Sequence, residues 1–344
     1  MIYTVKLEPS GRSFQVTEDD VILDAALAQG IRMPHGCRAG TCKSCRAKVI
    51  SGIADVGRAF PGPKFMMRLR QFDGYTLMCR ATAACDLVIQ VDEQPSVPEP
   101  AILTAKVKQI VITGDVAILR LQIEGDEAVS YVAGQYVDLL VSATDRRSYS
   151  IATPPALTGN AELEFHVRHL PGGLFTDRLF GGDLSVNEVI GLEAPLGAFY
   201  MRESSKPAVM LASGTGYAPI RAILLDILPR HQGRRIVLYW GGRQRADLYN
   251  FEEVIALERD YPDFSFVPVL SEAGPSSGWA GRTGFVHAAV MQDLPDLSDW
   301  QVYACGVPQM VDAAQRDFMQ KCSLPENSFF ADAFISKNDN ANVE

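Results

Sequence analysis

The chain has 344 residues, of which 47% are hydrophobic and 21% are charged, a composition that is ordinary for a soluble globular protein and argues against general disorder. Its length predicts two or three domains. No apolar run approaches the roughly 18 residues of a membrane helix, so we expect no membrane span. The net charge of −9 argues against nucleic acid as the main partner, because such binding depends on basic contacts to phosphate.

Cysteine usage and charge both divide the chain. Seven cysteines are present, and four of them lie in two short segments. The N-terminal sequence lacks the basic and apolar regions of a secretory signal, so we expect a cytoplasmic protein whose clustered cysteines bind metal rather than form disulfides. Residues 1–94 contain 12 Lys and Arg against 10 Asp and Glu, whereas the remainder contains 20 against 31. This asymmetry is typical of an independent N-terminal module.

The first predicted elements are a hairpin and a helix. Residues 3–8 and 13–16 alternate in polarity around the turn Pro9-Ser-Gly-Arg12, which predicts two antiparallel strands. Thr17-Glu-Asp-Asp20 has the pattern of a capping box. It predicts a helix over residues 21–29 that ends at Gly30.

The strongest chemical signal is the segment that runs from Pro34 to Cys45 and contains three cysteines. The C-x₄-C-x₂-C spacing of Cys37, Cys42 and Cys45, with the distant Cys79, is that of plant-type [2Fe–2S] proteins. A zinc site is the alternative, but zinc usually requires a second close pair of ligands besides the pair formed by Cys42 and Cys45. We therefore predict an iron–sulfur cluster held by these four cysteines.

Glycines in the cysteine segment support the same interpretation. Gly36 and Gly40 allow the backbone to approach a cluster and to direct N–H groups at it. Cys85 competes with Cys79 for the fourth ligand position, although its apolar neighbours predict a buried thiol. The hairpin, helix and cluster segment together resemble the β-grasp ferredoxin domain over residues 1–94.

Composition predicts the remaining boundaries. Asp92-Glu-Gln-Pro-Ser-Val-Pro-Glu-Pro-Ala101 is rich in proline, which predicts an extended linker at residues 95–101. A second change of pattern near residues 201–207 separates a strand-rich segment, residues 102–204, from residues 205–334, in which strands alternate with helices. This alternation is typical of a parallel sheet covered by helices. Residues 335–344 form a polar tail.

Predicted elements follow the linker in a regular order. The strands before the second boundary are residues 118–123, 136–141 and 161–167. After it we predict strands at 209–212, 235–240, 264–270 and 301–304, and helices at 218–228, 251–259 and 308–321.

Four motifs occur in this second part of the chain. They are Arg147-Ser-Tyr-Ser150, Gly172-Gly-Leu-Phe-Thr176, Gly191-Leu-Glu-Ala-Pro-Leu-Gly-Ala-Phe-Tyr200 and Gly214-Thr-Gly-Tyr-Ala-Pro219. In order and spacing they resemble the ferredoxin–NADP reductase superfamily across about residues 101–334. The resemblance implies an antiparallel six-stranded FAD-binding β-barrel followed by a parallel-sheet nicotinamide-binding domain.

The resemblance also implies which residues bind FAD. Arg147 corresponds to the residue that pairs with the FAD pyrophosphate through its planar fork. Tyr149 corresponds to the residue that packs on the flavin ring, and Ser150 to the one beside the reactive N5. A surface salt bridge is the alternative role for Arg147. The remaining implied FAD contacts are Ser148, His166, Val167, Gly172, Gly173 and Thr176, the last with a simple helix cap as its alternative.

Another set of residues is implied for NAD(P)H. Gly214, Thr215 and Gly216 would allow the dinucleotide phosphates to reach a helix N-terminus. Pro219 fits early in that helix, where its missing N–H costs no hydrogen bond. Cys305-Gly306 resembles the family's Cys-Gly motif beside the nicotinamide, although a buried small residue at a strand end would give the same sequence.

The adenosine half and the C-terminus are less distinctive. Arg243 and Arg245 could bind a 2′-phosphate, contact the pyrophosphate or face solvent, and the following Asp247-Leu-Tyr favours NADH, with NADPH possible. Near the C-terminus, Asp332 matches an acid beside the flavin, so we predict it as catalytic with Ser150 and Cys305. Phe334 matches a residue near the flavin face, although the chain continues for ten residues beyond it.

Together the modules predict an NAD(P)H-dependent electron-transfer flavoprotein. Electrons would pass from NAD(P)H to FAD, then to the [2Fe–2S] cluster, and then to a partner protein. The module order resembles reductase components of multicomponent oxygenases, such as benzoate dioxygenase reductase, and also CDP-deoxyglucoseen reductase. We therefore expect a terminal oxygenase as the partner. The alternatives are a deoxysugar dehydrase, a stand-alone flavin or quinone reductase, and a redox-sensing iron–sulfur protein.

Overall fold

A computed structural model describes residues 1–35, 38, 40, 45–55, 74–91, 100–125, 128–142, 144–155, 161–230, 233–274 and 278–334. Two predicted ligands, Cys37 and Cys42, lie outside the described residues, as do most of the linker and the polar tail. The chain divides into two compact units, Met1–Ser96 with Asp332–Glu344 and Val97–Ala331. The five-part domain division predicted from sequence stays a prediction.

The first unit is built on a mixed five-stranded sheet. Its elements are β1 (Ile2–Glu8), β2 (Ser13–Thr17), α1 (Ile22–Ala28), β3 (Arg46–Ser51), β4 (Ala54–Asp55), β5 (Tyr75–Leu77), β6 (Thr82–Ala83) and β7 (Leu87–Gln90). The strand order is β2-β1-β7-β3-β5. Strands β1 and β2 pair antiparallel, which confirms the predicted hairpin, whereas β1 and β7 pair in parallel. Alternate residues of β1, Val5 and Leu7, are fully buried and form one side of the core.

The predicted capping box is wrong. Helix α1 begins at Ile22, and its N-cap, Val21, makes no side-chain capping bond. Asp20 instead accepts a hydrogen bond from the Thr17 N–H at 2.8 Å, because its carboxylate closes the turn that precedes the helix. The Ile22 N–H donates to the Ala81 carbonyl, so a tertiary contact satisfies the group that a cap would have served.

An antiparallel sheet opens the second unit. Its elements are β8 (Ala101–Thr113), β9 (Val116–Ile123), β10 (Tyr136–Leu140), β11 (Arg146–Ser150), β12 (Glu162–Arg168), α2 (Leu174–Phe180) and β13 (Val189–Leu196). The strand order is β11-β10-β13-β8-β9-β12. Leu119, Leu121, Phe165 and Val167 point to one side and form its core. Among the described residues, the ends of the sheet are joined only by the isolated bridge from Ile151 to Phe165. The sheet is therefore not closed there, and the predicted closed β-barrel is corrected to an open six-stranded sheet.

A parallel sheet with helices follows, as the alternating pattern predicts. Its elements are β14 (Ala208–Ser213), α3 (Tyr217–Ile227), β15 (Ile236–Gly242), α4 (Phe251–Asp260), β16 (Phe264–Leu270), β17 (Arg282–Thr283), α5 (Val286–Asp293), β18 (Gln301–Gly306), α6 (Pro308–Lys321) and β19 (Phe329–Ala333). The strand order is β17-β16-β15-β14-β18-β19. Neighbouring strands among the first five in this order pair in parallel. Carboxyl ends of parallel strands share one edge, where ligands of such sheets bind.

No helix in the described part of the chain combines the length and the apolar character that crossing a membrane requires.

Candidate functional site

Two of the four predicted cluster ligands lie together in the first unit. Cys45 immediately precedes β3, and Cys79 lies in a 3₁₀ turn, Met78–Arg80, that follows β5. Pairing of β3 with β5 and the bond from the Met78 N–H to the Cys45 carbonyl bring the turn to the strand. The two Sγ atoms are 3.0 Å apart, and both side chains are buried without forming a disulfide. Two close thiols without a disulfide are the donor set that a shared iron requires.

The rest of the cluster site is only partly described. Gly40 has φ +81° and Arg38 has φ +52°, so the backbone is left-handed at these two described positions of the cysteine segment. Cys85 is half-buried, and its Sγ accepts the Ile53 N–H at 3.2 Å. Among the described residues no group of three or more metal-ligating side chains occurs, because Cys37 and Cys42 lie outside that set.

Strand β11 and helix α2 bring the two predicted FAD motifs together. The Tyr149 and Phe175 ring centroids are 5.3 Å apart, so the Arg-Ser-Tyr-Ser strand lies against the Gly-Gly-x-x-Thr turn. Burial raises the pKa of Tyr149 well above its usual value, with Arg147 acting in the opposite direction. Arg147 lies 3.5 Å from Asp145 and is one-quarter exposed. Arg147 Nη1 also donates to the Arg146 carbonyl at 2.7 Å, so one end of the guanidinium is held locally. The fork remains partly accessible, as a phosphate-binding group requires.

Thr176 has a structural task within the second motif. Its buried hydroxyl donates to the Leu170 carbonyl at 2.8 Å and accepts from the Leu170 N–H at 3.3 Å. It therefore closes the turn before α2 rather than capping the helix, whose N-cap is Gly173. The Gly172 N–H donates to Asp177 at 2.9 Å. The backbone N–H groups of the first turn of α2 are those that a helix leaves for other acceptors.

Two further predicted flavin contacts point in different directions. Val167 is fully buried in the core of the antiparallel sheet. His166 projects from the other face of β12, where Nδ1 lies 2.8 Å from the Tyr249 hydroxyl and Nε2 lies 3.1 Å from Glu164. Their predicted contacts with the flavin stay predictions. Ser148 and Ser150 lie on β11, where the Ser148 hydroxyl donates to Asp138 at 2.5 Å and Ser150 is buried.

The predicted nicotinamide motifs meet at the carboxyl edge of the parallel sheet. A Cβ atom on Gly216 would lie 2.1 Å from the Cys305 carbonyl oxygen, and one on Gly306 would lie 2.1 Å from the Ser213 hydroxyl. Both glycines are therefore required by close backbone approach, and Gly306 also has φ +143°. The two motifs form one surface although they are far apart in the chain, because Ala212 of β14 pairs with Cys305 of β18. Thr215 occupies the 3₁₀ turn between Gly214 and Gly216.

Pro219 is the third residue of α3 and is buried, so the prediction that it fits the first helical turn is confirmed. Gly214 has φ +52°, and its carbonyl accepts the Trp240 indole N–H at 3.0 Å. This bond ties the glycine turn to β15.

The two arginines of the adenosine region differ. Arg243 is 63% exposed, and its Nε is 4.0 Å from Asp247. Arg245 stacks on Phe251 at 3.7 Å and pairs with Glu252 at 3.1 Å. Asp247 accepts the N–H groups of residues 243 and 244, and these bonds lower its pKa although burial acts to raise it. Arg243 is thus the arginine whose side chain is available to a ligand.

The C-terminal residues are placed on the edge of the parallel sheet. Asp332 lies on β19 and Phe334 follows it, and both are partly buried. Phe330 stacks on Tyr303 with centroids 4.9 Å apart. The predicted roles of Asp332 and Phe334 beside the flavin stay predictions.

Sequence reasoning missed a buried polar network inside the second unit. Arg221 donates to Glu253 and also contacts Glu164 at 3.2 Å, and Arg168 pairs with Asp247 at 2.9 Å. The sequence Glu164-Phe-His-Val-Arg168 contained the signal, because strand alternation places three polar residues on one face. When one face of a strand packs in the core and the other carries charged residues, the charged face is expected to contact another polar element.

Protonation in the network follows from its burial. Burial acts to raise the pKa of Glu164, but the hydrogen bond from His166 and the charge of Arg221 outweigh it and lower this pKa to about 2. Burial lowers the pKa of His166. We therefore assign a neutral imidazole that donates from Nε2 to Glu164 and accepts at Nδ1 from the Tyr249 hydroxyl.

Three family models match the chain in sequence order. They are a 2Fe-2S iron-sulfur cluster binding domain at residues 5–84, an oxidoreductase FAD-binding domain at residues 104–200 and an oxidoreductase NAD-binding domain at residues 210–316. Cofactors of the protein are accordingly a [2Fe–2S] cluster, FAD and NAD(P)H.

Similar proteins share the whole arrangement. The CDP-6-deoxy-L-threo-D-glycero-4-hexulose-3-dehydrase reductase of Yersinia pseudotuberculosis is 38% identical over 97% of this chain and 99% of its own length. The phenol 2-monooxygenase reductase component DmpP of Pseudomonas sp. is 35% identical, with 99% and 97% covered. The crystal structure of the cytochrome P450 reductase GcoB of Amycolatopsis superposes with a TM-score of 0.73 at 31% identity, with 96% and 98% covered. The chain therefore belongs to the family of NAD(P)H-dependent iron–sulfur flavoprotein reductases, which pass electrons from NAD(P)H through FAD and a [2Fe–2S] cluster to a partner protein.

Proposed function

We propose that the partner is the terminal oxygenase of a multicomponent dioxygenase or monooxygenase, and that it docks beside the cluster. The observation that carries the docking proposal is the set of basic residues at the cluster ligands. Arg38 lies within the cysteine segment, and Arg46 and Arg80 each adjoin a ligand. Arg38 is exposed, whereas Arg46 and Arg80 are half-buried, and cations beside an electron exit favour an acidic partner surface.

We assign the cofactor-binding roles as part of the same proposal. Cys37, Cys42, Cys45 and Cys79 hold the cluster, Arg147 and the α2 turn hold the FAD pyrophosphate, and the glycine turn with Cys305-Gly306 holds the nicotinamide half of NADH. Bound FAD supplies the conversion of a hydride equivalent into single electrons. The chain supplies placement: Tyr149 with Phe175 shapes one cofactor surface, and the close approach of Gly216 to Cys305 shapes the other.

Charge reversal tests the docking surface. Arg38→Glu should slow electron delivery to a purified oxygenase component about 10-fold at low salt, and the loss should shrink as salt rises because exposed charges are screened beyond ~8–10 Å. Arg259→Glu is the matched control, since Arg259 is 75% exposed on α4 of the other unit. Equal rates for parent and Arg38→Glu across the salt series would refute the docking surface while leaving the reductase activity intact.

A deoxysugar dehydrase is the second candidate partner, favoured by the 38% identity to the Yersinia dehydrase reductase. Parallel assays with an oxygenase component, a dehydrase component and a free quinone would separate the candidates. Fastest NADH-dependent reduction of the dehydrase would replace the oxygenase proposal. Equal activity with the quinone would favour a stand-alone reductase.

We retain three finer assignments as proposals. None of the five described cysteines forms a disulfide with another, which supports a cytoplasmic site of action. The hairpin of β1 and β2 with helix α1 supports a β-grasp first domain. The three family matches support boundaries near residues 94–102 and 204.

A further inference from the structure

Arg221 lies at the centre of a polar junction between the antiparallel sheet and the parallel-sheet domain. Through Nε and Nη2 it binds Glu253 of α4 at 2.7–3.0 Å, so one side of the guanidinium is fixed within its own domain. Its Nη1 crosses to the Ala152 carbonyl at 2.8 Å and to Glu164 of β12 at 3.2 Å. We call Glu253, Arg221 and Glu164 the clamp.

Two more links cross at the same strand. His166 accepts the Tyr249 hydroxyl at 2.8 Å, and Arg168 donates to Asp247 at 2.9 Å. Every second residue of β12 from Glu164 to Arg168 thus reaches into the parallel-sheet domain. Asp247 also holds the backbone of the loop that carries Arg243, so the junction is continuous with the predicted nucleotide site.

Because its charges are buried, the clamp contributes more to the relative placement of the two domains than to the free energy of unfolding. The side chains of Glu164 and Arg221 are only 6% and 14% exposed. A buried ion pair offsets the desolvation cost of its charges only when the two groups are well aligned, so it adds little net stability. Displacing one partner leaves a buried charge uncompensated, which is strongly unfavourable. A guanidinium fork tolerates less displacement than an ammonium group does.

We propose that the clamp is a positioning device that sets the nicotinamide-binding domain against the flavin-binding sheet for hydride transfer. The proposal rests on the NAD(P)H-to-FAD step of the family. Transfer between two bound cofactors requires near contact of the reacting atoms, and a misplacement of about 1 Å can reduce the rate on the order of 100-fold. The clamp acts by domain placement, so its loss should affect transfer more than binding.

The test uses Arg221→Ala in the full chain loaded with FAD and cluster. Anaerobic mixing with increasing NADH should give a limiting rate of FAD reduction 10- to 100-fold below the parent, with the apparent Kd for NADH within twofold. Hydrogen exchange should rise in residues 245–253 and in β12, which reports the loosened junction independently of activity.

Arg120→Ala is the matched control. Arg120 pairs with the same Glu164 at 2.7 Å, but from β9 of the same sheet, so its loss removes a charge partner without crossing the junction. We expect its limiting rate within twofold of the parent. Equal losses for Arg120→Ala and Arg221→Ala would refute the positioning role, as would a parental limiting rate in Arg221→Ala.

Two further variants keep the test decisive if Arg221→Ala does not fold. Arg221→Lys keeps the charge but cannot hold both carboxylates and the Ala152 carbonyl, and Glu253→Gln keeps the shape but weakens the anchor. Each should lower the limiting rate 3-fold or more with FAD content and NADH affinity retained. Parental limiting rates in both would overturn the proposal. A parent that does not reduce its own FAD with NADH would instead refute the assigned activity.

Discussion

The two compact units bury different kinds of polar group. In the first unit the buried polar residues among those described are His35, Thr76 and Thr82, whereas the second unit buries the charged residues Glu164, Arg234, Asp247 and Asp317. The described part of the cluster site is built from two thiols, one before β3 and one in the turn after β5. The reductase unit is built from paired charges that join separate elements. One unit should therefore respond chiefly to cysteine substitution, and the other to pH and to loss of a charge partner.

Cysteine substitution should have the largest effect. Cys79→Ser should abolish the visible absorbance of the cluster and lower bound iron from about two per chain to well under one, because Cys79 lies 3.0 Å from Cys45 in the described site. Cys85→Ser is the matched control, because its thiol contacts only the Ile53 N–H in the described hydrogen bonds. Normal iron in Cys79→Ser with loss in Cys85→Ser would reverse the ligand assignment.

Substitution of Arg147 should have the next largest effect, which is a loss of affinity for FAD. Arg147→Ala should weaken FAD binding 10- to 100-fold, since a charge-assisted hydrogen bond contributes about 1.5–3 kcal/mol. Arg146→Ala is the control from the adjacent position, where the side chain faces the other way and pairs with Glu193. FAD titration of apoprotein, followed by fluorescence quenching, measures both. Equal affinities for the two variants would place the pyrophosphate elsewhere.

Acid should destabilise the second unit before the first. The folded pKa of His166 is lowered, so the unfolded chain binds more protons below pH 6.5 and stability falls as pH decreases through that range. The lowered pKa of Glu164, about 2, adds a further loss between about pH 4.5 and 2. The combined loss is on the order of 3 kcal/mol.

Two optical signals separate the units in this experiment. All three tryptophans, Trp240, Trp279 and Trp300, lie in the second unit, so their fluorescence during urea unfolding reports that unit alone, and the cluster absorbance reports the first. His166→Gln should flatten the tryptophan-detected dependence between pH 6.5 and 5. An unchanged slope in that variant would assign the pH dependence to other groups.

The smallest expected effect concerns nucleotide preference. Arg243→Ala should raise the KM for NADPH about 3- to 10-fold and spare NADH, because the exposed Arg243 is available to a 2′-phosphate. Arg245→Ala should change the NADPH-to-NADH ratio less than twofold, since its guanidinium is held by Phe251 and Glu252. Steady-state kinetics with both nucleotides measures the ratio, and equal effects on NADH and NADPH would indicate a pyrophosphate contact.

The sequence predicts those parts of the fold whose pattern lies within a short stretch of the chain. The hairpin of β1 and β2, the parallel sheet and the glycine turn at a strand end were predictable, because turn residues and hydrophobic alternation depend on neighbours in the chain. The start of α1 was not, because the Ala81 carbonyl that receives the Ile22 N–H comes from a distant turn. The clamp was not predictable either, since Arg221 has no motif that names its partners on β12 and α4.

A single-turnover experiment tests the electron path most directly. One equivalent of NADH is mixed anaerobically with the loaded protein, and the flavin and cluster absorbances are followed together. We expect the flavin band to bleach first and the cluster band to follow in the same chain, while Cys79→Ser stops after flavin bleaching. A cluster that bleaches before the flavin, or that stays oxidised while the flavin is fully reduced, would contradict this order of electron transfer.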